Sequence, residues 1–437
     1  MQAAIGKYRW TICSLLFLAT TINYLDRAVI SLLKPFIAEA FHWDAVAEIK
    51  NYADIEIVFK IAYTIGMLGA GRLIDRLGTK IGYALSTLMW SISAVAHAIA
   101  TGTIGFGVAR GFLGIFEAGN FPAAIKATAE WFPKKERAYA TGVFNSGSSI
   151  GAIVAPVSVP WIAIHLGWQW AFIITGSIGF IWLILWFIYY EIPAKQARLS
   201  KAEFDYIHSD KEEESQQNNK SVEKISWAKL LSYKQTWAFA IGKFITDPIW
   251  WFYLFWLPDF LNKQYGLVGT QVSIPVAVVY IMAMFGSIYG GFLPMYLINK
   301  GWPVFKARKT SMLIYAFCVF PIVFAQLAGS VNMWGAVILI GLAASAHQAW
   351  SANIFTTVSD MFPKKTVGVV TGIGGMAGGL GGIVLSWAVQ KNMFVYFEKL
   401  GKIDTGYYIM FFICGLSYLI AWIIMHFMVP TLKRIDL

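Results

Sequence analysis

Acidic residues are scarce in this chain. Only 24 of its 437 residues are Asp or Glu, and all charged residues together make up 14%, where a soluble domain carries about 25%. That poverty argues against a soluble enzyme, and against a disordered chain, which would be polar and highly charged. Cysteine is scarcer still. Cys13, Cys318 and Cys414 all lie in apolar runs, which gives no disulfide framework and reads as small buried hydrophobes. There is no cluster of zinc ligands, no Ser-His-Asp array with supporting context and no nucleotide motif. The glycine-rich run 372–382 lacks the Gly-Lys-Ser/Thr of a phosphate loop and suits close helix packing. No catalytic activity, metal or cofactor is therefore expected.

Apolar residues are abundant. The chain is 57% hydrophobic and 16% aromatic, with a mean hydropathy of +0.58. One bilayer crossing takes about 20 apolar residues. The apolar runs continue to the end of the chain, which excludes a one- or two-pass receptor. Runs bounded by charge, Gly or Pro predict helices near 8–33, 48–71, 79–100, 104–131, 136–163, 168–191, 236–261, 271–298, 308–328, 332–359, 365–392 and 406–429. The fold class expected is an all-α polytopic membrane protein with twelve transmembrane helices in two pseudo-symmetric six-helix bundles. The longest polar interruption contains Lys211 to Lys220, has no apolar face and reads as a solvated linker. The domains are then 1–191, a central linker 192–235, and 236–437.

The net charge of +11 would suggest nucleic acid in a soluble protein. Here its placement matters more, because Lys and Arg accumulate in cytoplasmic loops. Lys7, Arg9, Arg72, Arg76, Lys80, Lys134, Lys135, Arg137, Lys300, Lys306, Arg308, Lys309, Lys364, Lys365, Lys433 and Arg434 fall on one side. Lys34, Lys50, Lys263, Lys391, Lys399 and Lys402 fall on the other. The bias predicts both termini in the cytoplasm and an even number of spans. The basic start MQAAIGKYRW lacks an evident cleavage site and reads as the entry to a first membrane helix. The partners expected are the lipid bilayer and no nucleic acid.

The halves repeat. Glu130-Trp131-Phe132-Pro133-Lys134-Lys135 and Thr141-Gly142 recur 230 residues later as Asp360-Met361-Phe362-Pro363-Lys364-Lys365 and Thr371-Gly372. Gly151 and Gly381, and Gly71 and Gly301, keep that offset. A repeat this long in a membrane chain suggests two homologous bundles with a site between them. A duplicated channel would show the same pattern.

Between the second and third helices stands Gly71-Arg72-Leu73-Ile74-Asp75-Arg76-Leu77-Gly78-Thr79-Lys80. Gly71 and Gly78 permit a tight turn. Asp75, beside Arg76, can pair with a cation or a helix N-terminus, forming a latch that gates movement. A plain positively charged loop is the simpler reading. This decapeptide resembles the loop motif of the major facilitator superfamily, and the helix count, linker and repeat fit that superfamily along the whole chain. Tyr24-x-Asp26-Arg27, Arg110-x6-Glu117 and the Glu130–Arg137 run resemble its anion:cation symporter family. Ala346-His347-Gln348-Ala349-Trp350-Ser351 and Val108-Ala109-Arg110-Gly111 resemble the hexuronate transporter branch. That resemblance implies proton-driven uptake of glucuronate and galacturonate, with Arg110 and Glu117 in the coupling site.

The residues point the same way on their own. A charge at mid-bilayer costs about 2.5–3.5 kcal/mol on insertion scales, so each one is a functional candidate. Asp26, Arg27, Lys60, Arg110, Glu117 and Asp247 lie in otherwise apolar spans. Arg110 and Glu117 are nearly two turns apart on one face, about 10 Å along the axis. They form either a structural ion pair or an anion anchor with a titratable carboxyl. Asp26 and Arg27 point about 100° apart. Arg27 suits a substrate carboxylate and Asp26 a proton, unless they serve as packing salt bridges. Tyr24 and Tyr63 offer hydroxyls or core packing. Lys60, on the face of Tyr63, either adds a cation to the anion site or pairs with Glu56. Asn145, Ser148, His347, Gln348, Ser351 and Asn353 offer neutral donors and acceptors for hydroxyl groups, and Trp251 offers a ring for a sugar face. A structural histidine and a lipid-facing tryptophan are the plain alternatives.

The function expected is import of a hexuronate by proton symport with alternating access, in a bacterial inner membrane, by a monomer. Its partners are a small organic anion of the sugar-acid class and a proton. The rivals are the same machine with another sugar acid (galactonate, glucarate), a nutrient sensor on a transporter scaffold, and a pore.

Overall fold

The computed structural model describes residues 6–209, 227–362, 364–431 and 435. At positions 68, 72, 75, 129, 134–139, 356, 359, 360 and 364–369 it describes the backbone alone. The polar heart of the linker, 211–220, lies outside the described residues, as does the Asp75 side chain.

Every regular element among the described residues is helical. The elements used below are α1 (Tyr8–Ala40), α2 (Ala45–Ala96), α3 (Gly102–Glu117), α4 (Asn120–Trp131), α5 (Lys134–Leu166), α6 (Trp168–Tyr189), α7 (Lys201–Ile207), α8 (Trp227–Leu231), α9 (Lys234–Tyr265), α10 (Ser273–Tyr289), α11 (Phe292–Asn299), α12 (Val304–Val319), α13 (Ala325–Val331), α14 (Met333–Met361), α15 (Lys364–Leu385), a π-helical turn at Ser386–Met393, α16 (Phe394–Lys399) and α17 (Ile403–Met428). With α2 divided at Gly78, and α3–α4, α10–α11, α12–α13 and α15–α16 taken as interrupted runs, these give the twelve spans of the expected fold. Among the described residues, eight are long and apolar enough to cross a membrane by length and composition alone. Three of the others contain buried ionisable residues: Glu56 and Lys60 in α2, Arg110 and Glu117 in α3, Lys243 and Asp259 in α9.

Three helix ends run six or more residues past expectation: those of the second and first spans, and that of the eleventh, which continues through the π-helical turn to Lys399 where 392 was expected. The chain stays helical through Gly71, Arg72 and Arg76 and breaks at Gly78, where φ is +77°. Only Gly enters that region without strain. Charge therefore does not mark the end of this helix. At the other end of the first span, α1 continues to Ala40 with Pro35 inside it, because membrane helices tolerate a proline whose freed backbone group finds another partner.

The chain divides into two compact units. The first comprises Met1–Arg27, Ala62–Gly151 and Gln169–Lys224, and the second comprises Ala28–Ile61, Ala152–Trp168 and Ile225–Leu437. In the first, Trp182, Trp186 and Tyr190 lie four apart along and just beyond α6 and stack face to face, with centroids 4.9 and 3.9 Å apart. Their polar ends are satisfied by neighbouring backbone: Trp182 Nε1 donates to Leu15 O and Trp186 Nε1 to Lys80 O. A large ring can be buried at little cost when its N–H has a partner, so this ladder fixes α1 and the second part of α2 against α6. Each unit also uses one of the repeat-related glycines for close backbone contact. A Cβ on Gly151 would strike Thr21 O, and one on Gly381 would strike Phe244 O. The same offset thus brings α5 onto α1 in one unit and α15 onto α9 in the other.

Candidate functional site

The charged centre of the first unit is built on Arg27. Its Nε donates to Glu117 Oε2 at 2.6 Å, with both side chains 5% exposed or less. Its guanidinium carbon lies 4.9 Å from the Tyr24 ring and 4.6 Å from the Tyr63 ring. Arg110, fully buried, donates from Nη2 to the Arg27 carbonyl at 2.9 Å. The α3 spacing does place Arg110 and Glu117 on one side, but Glu117 pairs with the arginine of α1. Arg110 instead braces the backbone that carries that arginine. The arrangement is a cation between two aromatic faces, neutralised by a carboxylate that another carboxylate could replace.

Asp26 makes no ion pair with Arg27, although Glu117 and Arg110 lie within electrostatic reach of it. It is 3% exposed, and neither carboxylate oxygen meets a hydrogen-bond partner among the described residues. Asn23, one turn earlier, is fully buried with both amide atoms in the same condition. Asn145 is half-buried, and Ser148 directs its hydroxyl hydrogen to Asn145 O in its own helix. That leaves its oxygen as an acceptor. Of the loop motif, Gly71 is helical, Arg76 is exposed and Gly78 forms the break. Nearby, Lys80 pairs with Glu191 at 2.8 Å, which holds the Glu191 carboxyl below the usual glutamate range.

The remaining expected residues belong to the second unit. Lys60 is 1% exposed and donates to Ser386 Oγ in the π-helical turn at 2.5 Å. Its ammonium lies 5.6 Å from the Trp251 ring and 5.2 Å from that of Phe255. π-Helical turns occur mostly as single insertions and frequently at functional sites. His347, which stands 230 residues after Glu117, stacks on Trp250 at 5.2 Å and 8°, and shares a hydrogen bond between Nδ1 and the Tyr418 hydroxyl. Gln348 and Ser351 are half-buried. Asn353 commits its amide nitrogen to Gly290 O and Ala349 O, so it satisfies the interrupted helix at α10–α11.

Sequence reasoning missed the pairings within a second set of charges. Lys34, expected in an outer segment, is 2% exposed and pairs with Asp259 and, at 3.4 Å, with Glu48. Tyr407 donates to the other oxygen of Asp259. Lys391 pairs with Asp54, and Tyr52 donates to Phe255 O. Lys243 pairs with Asp247 at 2.7 Å across one helical turn. That i,i+4 spacing was legible, whereas the partners of Lys34 lie more than 200 residues away along the chain or across a turn and left no local signal.

The model of the Major Facilitator Superfamily matches residues 16–386. The chain is 34% identical over 385 residues to the hexuronate transporter of Escherichia coli (strain K12), covering 88% of each chain. It is 36% identical over 291 residues to the galacturonate transporter of Dickeya chrysanthemi, covering 67% of this chain and 83% of that one. Among solved structures, a D-xylose-proton symporter aligns with a TM-score of 0.75 at 15% identity, over 98% of this chain and 100% of that one. The chain belongs to the major facilitator superfamily. It is a multi-pass membrane transporter and not an enzyme.

Proposed function

We propose that this protein imports a hexuronate, glucuronate or galacturonate, across a bacterial inner membrane by proton symport with alternating access of two six-helix halves, 1–191 and 236–437. The observation that carries the reading is the buried Arg27–Glu117 pair between Tyr24 and Tyr63. The names of the similar hexuronate and galacturonate transporters support the substrate class.

The chemistry follows from competition for one guanidinium. A planar guanidinium prefers a carboxylate held through two parallel N–H bonds. With Glu117 ionised, Arg27 is already neutralised, and a sugar acid must displace an internal carboxylate. Protonation of Glu117 weakens that pair and frees Arg27 for the substrate. Proton and anion therefore favour each other's binding, as reciprocal linkage requires. Arg110 holds the Arg27 backbone so that the exchange moves a side chain and not the helix. Asp26 carries a second titratable site, within electrostatic reach of Glu117 and Arg110. Hydroxyl groups are read by Asn145, Ser148, His347, Gln348 and Ser351, and the ring face by Trp251, with Lys60 as a further cation. Asp75, Arg76, Gly71 and Gly78 gate the cytoplasmic side. Countertransport of labelled galacturonate in proteoliposomes tests the proposal: exchange by the wild-type protein that Arg27→Ala abolishes is expected, and exchange that survives Arg27→Ala moves the anion site elsewhere.

A further inference from the structure

The buried and half-buried lysines of the second unit mostly face carboxylates. Lys34, Lys243, Lys263 and Lys391 each do so. One cluster does not. No Asp or Glu occurs from residue 260 to residue 359, yet that stretch contains Lys300, Lys306 and Lys309 at and just after the α11–α12 connection. Among the described residues Lys300, Lys306 and Lys309 meet no carboxylate. Each is instead placed over an aromatic ring four positions earlier: Lys300 over Tyr296 at 4.4 Å, Lys306 over Trp302 at 4.9 Å and Lys309 over Phe305 at 5.3 Å. Trp422 closes the group, 5.9 Å from the Lys309 ammonium and donating to Lys309 O at 2.8 Å.

Aromatic faces attract a cation without supplying a counter-charge, so Lys300 and Lys306 present their positive charge at exposed positions, while the half-buried Lys309 ammonium also donates to Val429 O at 2.7 Å. The same elements expose apolar side chains beside it: Phe292, Met295, Tyr296 and Val304 are 56%, 49%, 52% and 41% exposed. Ordered cations next to an exposed apolar face match a ligand with an anionic head and hydrocarbon tails. We propose that the α11–α12 connection is a binding site for an anionic phospholipid. The ammonium groups of Lys300 and Lys306 donate to the headgroup phosphate, with Lys309 adding its charge from behind them, and the acyl chains lie along Phe292 and Met295. A free phosphate would gain nothing from the apolar half of this surface.

The test uses the full chain, purified in detergent and supplied with equal amounts of phosphatidylglycerol and phosphatidylcholine, with bound lipid counted by native mass spectrometry. Preferential retention of phosphatidylglycerol is expected. The variant Lys300→Gln/Lys306→Gln should lower that retention about tenfold, and the lipid should be displaced by added salt. Lys399→Gln/Lys402→Gln, which removes the same charge from exposed positions elsewhere, should leave it unchanged. Equal retention of the two lipids, an unaltered Lys300/Lys306 variant, or an equal fall in the control variant would each overturn the site. Displacement of the lipid by millimolar glycerol phosphate would overturn the lipid in favour of a small-anion site.

Discussion

Replacing Glu117 by Gln removes the internal competitor for Arg27 and keeps the shape of the side chain. The pair it breaks is a charge-assisted hydrogen bond of 2.6 Å between two buried groups. Hydrogen bonds to charged groups are worth about 1.5–3 kcal/mol, and every 1.4 kcal/mol or so is tenfold in affinity. In the wild-type protein at high pH, a sugar acid has to overcome that energy to reach Arg27. In the variant the guanidinium is left without its anion, an unfavourable state for a buried charge, and the substrate carboxylate relieves it. Glu117→Gln should therefore bind galacturonate roughly 10- to 100-fold tighter at pH 8, by calorimetry or tryptophan fluorescence on purified protein. The sign of the pH dependence is set by which form competes. The ionised carboxylate competes and the protonated one does not, so wild-type affinity weakens as pH rises and the variant's response flattens. Accumulation against a gradient should be lost although binding improves. Weaker binding at pH 8, or a wild-type slope retained in the variant, would refute the competition.

Other perturbations separate the remaining parts. Asp26→Asn should retain countertransport and lose acid-driven accumulation, because exchange of bound substrate needs no net proton movement; accumulation at the wild-type rate would remove Asp26 from coupling. Gly151→Val should lower the thermal unfolding temperature and the yield of folded protein, because its Cβ meets Thr21 O and overpacking costs about 1–3 kcal/mol; unchanged melting would mean that α1 and α5 move apart at little cost. Glu191→Gln is the contrasting case: its pair with Lys80 is about a third exposed on each side, so stability at pH 7 should change by no more than about 0.5 kcal/mol. Lys80 holds the folded carboxyl below its ordinary value, so this small contribution is present at neutral pH and disappears as the pH falls through the glutamate range, which thermal melts between pH 3 and 7 would follow.

Apolar run length and the 230-residue repeat made the architecture legible, because bilayer thickness sets helix length and homologous halves keep their glycines where backbones meet. The identity of the charged residues was legible too, since Asp26, Arg27, Arg110 and Glu117 are costly in their spans. Their partners were not. Helical spacing says which residues share a face of α3, but not that Glu117 finds Arg27 of α1 while Arg110 braces a carbonyl. Charge was also a poor guide to helix ends: it placed a break at Gly71 where the helix runs on to Gly78, and it placed Lys34 in an outer segment when Asp259, Glu48 and the Tyr52 and Trp256 rings surround it. Asn353, expected among the groups that read hydroxyls, also has a structural task that only the interruption at α10–α11 reveals: its amide nitrogen donates to the Gly290 and Ala349 carbonyls.

The central claim is proton-driven transport of a hexuronate. Uptake of labelled glucuronate and galacturonate into proteoliposomes under an inward proton gradient, with and without a protonophore, tests it most directly. At least one of the two should accumulate above its external concentration, and the protonophore should collapse that accumulation. Uptake that only equilibrates, or uptake of neither while another organic anion is accumulated, would contradict it.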